Sequence, residues 1–290
     1  MSDFVLITDA TADLAQKMLD EMDIHVIPME VVVGEMTFLH YPDGRNLGFS
    51  EFYDSLRKQQ LASTVQINVQ TYMDIFEEFL KDGKDVLYIA FSSALSGSFN
   101  SSLIAMNELR QSYPERKLYC VDSLCASTGE GFLVYHAALE RDKGKTIDEV
   151  KNWAEESRLK INHWFTVDDL NHLKRGGRVS PTVAFAGTLL GIKPLLHVNE
   201  EGHLLPVSKV RGRAKALEGL VEKFEQTAIN PEEQVVFISH GDCLEDALII
   251  EKHIRERVAV KDVVLNYIGP VIGAHSGPGT VAIFFFANKR

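Results

Sequence analysis

Short apolar runs alternate with stretches of helical periodicity through the first half of the chain, and that alternation leaves few folds open. Phe4–Thr8, His25–Val33, Asp85–Phe91 and Leu118–Asp122 read as strands. A helix capped by Asp9-Ala10-Thr11 is expected to run to about Met22, with further helices over Phe49–Gln60, Tyr72–Lys81, Gly97–Arg110 and Gly129–Arg141. Gly34-Glu35 reads as a hairpin turn into Met36–Leu39, and Tyr41-Pro42-Asp43-Gly44 as a second turn. Strand–helix alternation of this kind implies a largely parallel sheet with helices on both faces. Such sheets bind ligands beyond the carboxyl ends of their strands, where Ser92–Ser98 and Asp122-Ser123 are expected.

The polar break Asp142-Lys143-Gly144-Lys145 is the expected boundary between two domains, residues 1–144 and 145–290. Beyond it, Thr146 to Glu149 has the capping-box pattern of a helix start. His163–Val167 reads as a strand, Asp168–Lys174 as a short helix ended by Gly176-Gly177, and Thr182–Leu190 as another helix. Ile192–Val198 and His203–Val210 flank a hairpin turn at Asn199–Gly202. Ala214–Gln226 and Leu244–Arg257 are helical by period, and Gln234–Ser239, Val263–Ile268 and Thr280–Phe286 are strands. The expected class is α/β: an N-terminal parallel sheet flanked by helices, then a C-terminal α/β domain with a mixed or antiparallel sheet.

Composition narrows the function. A formal charge of −11 over 290 residues argues against general nucleic-acid binding. No apolar run approaches the length of a membrane helix, so at most transient membrane contact is expected. The start lacks a basic leader region, and three cysteines without CxxC spacing read as reduced thiols, so a cytoplasmic protein is expected. Asp9, Thr11 and Asp13 suggest a helix cap and first-turn charge rather than a metal site, and no metal or cofactor is expected. One segment departs from the acidic balance: Lys174 to Lys215 holds eight bases against two acids. It reads either as a solvated basic face or as a surface for a phosphate-bearing ligand or acidic partner.

Two glycine- and hydroxyl-rich turns stand out as candidate ligand contacts. Phe91-Ser92-Ser93-Ala94-Leu95-Ser96-Gly97-Ser98 follows an apolar strand and opens a helix, where free N–H groups and hydroxyls suit an anion. Gly273-Ala274-His275-Ser276-Gly277-Pro278-Gly279 precedes the last strand, and its glycines allow close approach of backbone to a ligand. Each residue also has a structural reading. Ser96 can simply cap the helix that follows, Thr64 can be an ordinary loop residue, and His275 can serve the turn alone. The aromatic residues Trp153, Trp164 and Phe284-Phe285-Phe286 read as core.

These segments, with Asp9-Ala10-Thr11-Ala12-Asp13-Leu14, Val121-Asp122-Ser123, Leu173-Lys174-Arg175-Gly176-Gly177-Arg178 and Ile192-Lys193-Pro194, occur in an order and spacing that resembles the DegV family of fatty-acid-binding proteins, also called FakB, over essentially the whole chain. The resemblance implies a non-enzymatic carrier that holds one long-chain fatty acid between its two domains. It would present the carboxyl group to a separate FakA-type fatty acid kinase, which makes an acyl phosphate for phospholipid metabolism; an acyltransferase is a further candidate partner. It implies that Ser96, Thr64 and His275 hold the carboxylate. Around Thr64 the segment reads Thr64-Val65-Gln66-Ile67, where the family has Thr-Ser-Gln-Pro, so Val65 and Ile67 depart. The resemblance further implies that Arg175 and Arg211 meet the phosphorylated head group or the kinase; pinning neighbouring loops is the alternative.

Two other classes compete. A serine-type lipid ester hydrolase would use Ser96 or Ser93 with His275, although the turn is not Gly-Xaa-Ser-Xaa-Gly and no orienting acid is evident. A nucleotide binder would need a phosphate loop, and the chain has no Walker sequence and no GxGxxG after a strand.

Overall fold

The structure, a computed structural model, describes residues 4–180 and 191–290. The helix expected over Thr182–Leu190 lies outside the described residues.

The α/β class is as expected, with a parallel sheet in the first half and a mixed sheet in the second. Strands β1 (Phe4–Asp9), β2 (Ile24–Ile27), β6 (Asp85–Ala90) and β7 (Leu118–Asp122) form a parallel sheet in the order β2-β1-β6-β7. A six-stranded mixed sheet follows the order β10-β9-β8-β13-β11-β12, built from β8 (Ile161–Thr166), β9 (Ile192–Val198), β10 (Leu204–Arg211), β11 (Val235–His240), β12 (Asp262–Tyr267) and β13 (Val281–Phe286). Its β11–β12 pair is parallel and its other pairs are antiparallel.

A third sheet was not expected. β3 (Met29–Val33), β4 (Met36–His40) and β5 (Ala62–Val65) pair antiparallel in the order β4-β3-β5. The run His25–Val33, expected as one strand, splits at Pro28, which has no N–H to give to a ladder; the two halves serve different sheets. The hairpin through Gly34-Glu35 forms as expected. The long helix expected from Asp9 also breaks. Asp9 caps only the 3-10 turn Ala10–Ala12, Asp13 takes a left-handed conformation (φ 49°), and α1 covers just Gln16–Glu21.

The remaining helices are α2 (Phe49–Arg57), α3 (Val69–Lys81), α4 (Ser98–Ser112), α5 (Thr128–Asp142), α6 (Ile147–Ser157), α7 (Leu170–Arg175), α8 (Arg213–Thr227), α9 (Leu244–Arg257) and α10 (Pro270–Ser276). The capping box at Thr146 and Glu149 is present. Helix α5 touches β1 and β6 on one side and β8, β11 and β13 on the other. One core joins the parallel and mixed sheets around it, with Leu6, Leu87, Phe132, Phe165, Phe237 and Phe284 in a single cluster. A second core lies between the parallel sheet, the small sheet and α2–α4, and a third covers the far face of the mixed sheet under α8 and α9.

Candidate functional site

The segment read as a glycine-rich turn around His275 is a helix. Pro270 stands in its first turn, where a missing N–H costs nothing, and Gly277 ends it with φ 80°. Helix α10 packs against β3 and β5 of the small sheet. Thr64, expected in a loop, lies on β5 opposite Val31. The two elements bring side chains 211 residues apart in sequence together: Thr64 Oγ1 and His275 Nε2 are hydrogen-bonded at 2.9 Å.

Ser96 reaches the same place from the carboxyl end of β6. Its hydroxyl accepts from Ser98 N–H at 3.2 Å and lies 3.1 Å from Ser98 Oγ, so it does help to start α4. It is not bonded to Thr64 or His275, yet all three line one cavity. The Thr64 and Ser96 segments interlock: Ile67 N–H donates to Ser98 Oγ, and a Cβ at Gly97 would overlap the Gln66 side chain.

The loop after α7 supplies the fourth wall, and with it a residue that sequence reasoning missed. Arg178 lines the cavity, donating from Nε to Leu95 O at 3.1 Å and from Nη1 to Gly176 O. Among the described residues, no carboxylate forms an ion pair with it. Gly176 backs onto His275, where a Cβ would overlap Nδ1. Arg175 and Arg211, singled out from the sequence, lie elsewhere. Both are exposed and neither lines the cavity; Arg175 Nη2 lies 3.0 Å from His172 Nδ1, and Arg211 ends the edge strand β10. Nothing in Arg175-Gly176-Gly177-Arg178 distinguishes the inward arginine, although an arginine after paired glycines is free to fold back.

The space between these walls, open solvent at its mouth included, is about 780 Å³. Away from this cluster its walls are mostly apolar, with Met29, Phe91, Phe165, Leu173, Val198 and Phe284 among them. Burial, reinforced by the Arg178 charge, pushes the His275 pKa down to about 4, so its ring is neutral at pH 7. The field at this end comes from a guanidinium with no carboxylate partner among the described residues, and it suits an anion. Thr11 and Ser127 also line the cavity, and they hydrogen-bond the buried carboxyls of Asp9, Glu130 and Asp13. Burial raises the pKa of all three, that of Asp13 to about 8, which favours their neutral forms. Ser276 Oγ, beside His275, is buried on the cavity wall without a partner among the described residues.

The same geometry fits hydrolysis poorly. A nucleophilic serine needs a base within hydrogen-bond reach and a group orienting that base. His275 Nε2 is taken by Thr64 rather than Ser96, and among the described residues no carboxylate is bonded to His275. The described residues contain no group of three or more His, Cys, Asp or Glu placed to hold a metal ion, and no helix long and apolar enough to cross a membrane.

Comparison with known proteins places the chain. Residues 3–288 match the model of the DegV family, described as uncharacterised proteins. A DegV domain-containing protein of Clostridium perfringens is 45% identical over 290 residues, covering 100% of this chain and 99% of the relative. A fatty-acid-binding DegV family protein from Thermus thermophilus superposes with a TM-score of 0.88 at 26% identity, covering 98% of this chain and 99% of the other. DegV of Bacillus subtilis, a fatty-acid-binding protein, gives a TM-score of 0.84 at 30% identity, over 99% and 100% of the two chains. The chain therefore belongs to the DegV family.

Proposed function

We propose that this protein binds one long-chain fatty acid in the cavity and presents its carboxylate to a separate, FakA-type fatty acid kinase in the cytoplasm. The observation that carries the reading is an apolar cavity whose polar end is built from Thr64, Ser96, His275 and Arg178, which has no carboxylate partner among the described residues. Fatty acid binding by the Thermus and Bacillus relatives supports it. The acid would lie between an N-terminal unit, residues 1–144, and a C-terminal unit, residues 145–290.

Affinity and positioning divide along the ligand. Each buried methylene contributes roughly 0.8 kcal/mol, so about 14 of them supply over 10 kcal/mol gross. Ordering costs reduce that figure, but the tail still dominates. The head-group cluster has a different task. It neutralises a carboxylate that would be prohibitive to bury unpaired, and it fixes where the oxygens point. Hydroxyls of Ser96 and Thr64 are the donors; His275, bonded to Thr64 Oγ1 through Nε2, orients the second of them, with Arg178 behind them as the charge. Phosphoryl transfer itself falls to the partner, which brings its own nucleotide. Exposed Arg175 and Arg211 suit contact with that partner or with the phosphorylated head group. The test is reconstitution: loaded protein, FakA-type kinase and ATP should yield acyl phosphate. Binding of fatty acid without any transfer by a kinase active on another DegV protein would remove the presenting role.

A further inference from the structure

The cavity also carries a histidine that the head-group cluster does not use. His163 stands on β8, 1% exposed, on the wall of the same cavity. Neither of its ring nitrogens has a hydrogen-bond partner among the described residues. The ring meets Phe284 edge-on, with centroids 5.5 Å apart. Its Nε2–Cδ2 edge lies against Gly129 at the start of α5, where a Cβ would overlap both atoms. Nδ1 is the ring vertex opposite that edge.

The sheet register gives its depth. Thr280, Ala282 and Phe284 line the cavity in succession along β13, and Phe284 pairs with His163. Thr280 donates to Ser276 O at 3.0 Å, beside His275. His163 is thus level with a residue four positions further on, about 13 Å along a strand. Phe165, Ala282 and Phe284 are its apolar companions on the cavity wall. A hydrocarbon tail passing here would leave the histidine unsatisfied, and buried unsatisfied polar groups are costly. Phenylalanine or leucine would serve such a tail without that cost. Burial holds the His163 pKa well below its usual value, so the ring is neutral, with one donor and one acceptor. A hydroxyl both donates and accepts, and so satisfies Nδ1 in either tautomer. A carbonyl satisfies it in only one.

We propose that the preferred ligand is a long-chain acid bearing a hydroxyl on its chain, held by His163 at a fixed distance from the carboxylate. This rests on the fatty-acid reading above. The experiment compares stearic acid with a series of hydroxystearic acids differing in hydroxyl position, by competition against a fluorescent fatty acid. One position should bind about tenfold more tightly than stearic acid. In His163→Leu that preference should vanish while stearic acid binds as well or better, and His163→Gln should keep part of it. The ring ¹⁵N resonances of wild-type His163 should shift with the preferred isomer and not with stearic acid, a readout independent of how the variants fold. Equal binding of all isomers to the wild type, as a bridging water on the histidine would produce, overturns the proposal. So does a preference that survives in His163→Leu. Failure of stearic acid and every isomer to bind would instead overturn the fatty-acid reading, and this one with it.

Discussion

Gly176→Ala tests the head-group cluster through a single methyl group. Gly176 follows α7 with φ −70° and ψ −10°, a right-handed conformation that alanine adopts freely. On backbone grounds alone the change would stabilise the fold by about 0.4–1 kcal/mol. Space decides otherwise. The new Cβ would overlap His275 Nδ1 and stand 3.2 Å from its Cγ. Thr64 holds the ring by its other nitrogen at 2.9 Å, so clearing the methyl means giving up that bond and the position it fixes. A hydrogen bond to a charged acceptor contributes about 1.5–3 kcal/mol, which predicts a loss of about 10–150-fold in affinity for stearic acid. Its methyl ester, lacking the charge, should lose far less. Gly177→Ala is the matched control: nothing lies within 4 Å of a Cβ there, but φ is +72°. That variant should lose about 1–2 kcal/mol of stability to backbone strain and keep its affinity. Displacement of a fluorescent fatty acid and urea unfolding give the two readouts. Wild-type affinity for stearic acid in folded Gly176→Ala would refute the role assigned to the His275 ring.

Other substitutions probe separate parts of the account. Arg178→Gln should weaken stearic acid binding by tenfold or more and raise the His275 pKa, because the nearby positive charge helps to depress it; an NMR titration that leaves His275 unmoved would exclude that coupling. Thr64→Val should cost about 0.5–1.5 kcal/mol of stability by removing the bond to a partly buried ring nitrogen, and unchanged thermal unfolding would argue against the bond. Asp13 has a folded pKa raised to about 8, so its contribution is fully present below the unfolded value and is lost as pH rises through about 8. The stability of wild type relative to Asp13→Asn should therefore fall between about pH 4 and 8 in chemical unfolding, and a difference independent of pH would contradict the assignment. Arg211→Ala should leave lipid binding intact and slow phosphorylation by the kinase; loss of lipid with an unchanged rate on the remaining loaded protein would reverse that assignment.

What the sequence revealed depended on the length of each signal. Strands β1, β6 and β7 and helices α3, α5 and α9 announce themselves because apolar runs and periodic stretches alternate cleanly between breaks. The four-residue strand β5 is too short to stand out, and it is stabilised by pairing with β3, a long-range contact invisible locally. Helix α10 is hidden by glycines that disfavour helix, although Gly269-Pro270 was a usable start signal. Thr64, Ser96 and His275 were singled out through family resemblance, since no spacing rule joins residues 211 apart, and the structure brings them to one cavity. Arg178 was not singled out because its inward turn is fixed by Leu95 O and the loop around Gly176, not by composition. His163 looked like any strand residue until its unpartnered nitrogens appeared on the cavity wall.

Native mass spectrometry of the purified protein tests the central claim most directly. The account predicts a population carrying one non-covalent ligand per chain, released by solvent as a long-chain fatty acid. A folded protein that carries no lipid and takes up none when offered stearic acid would contradict it.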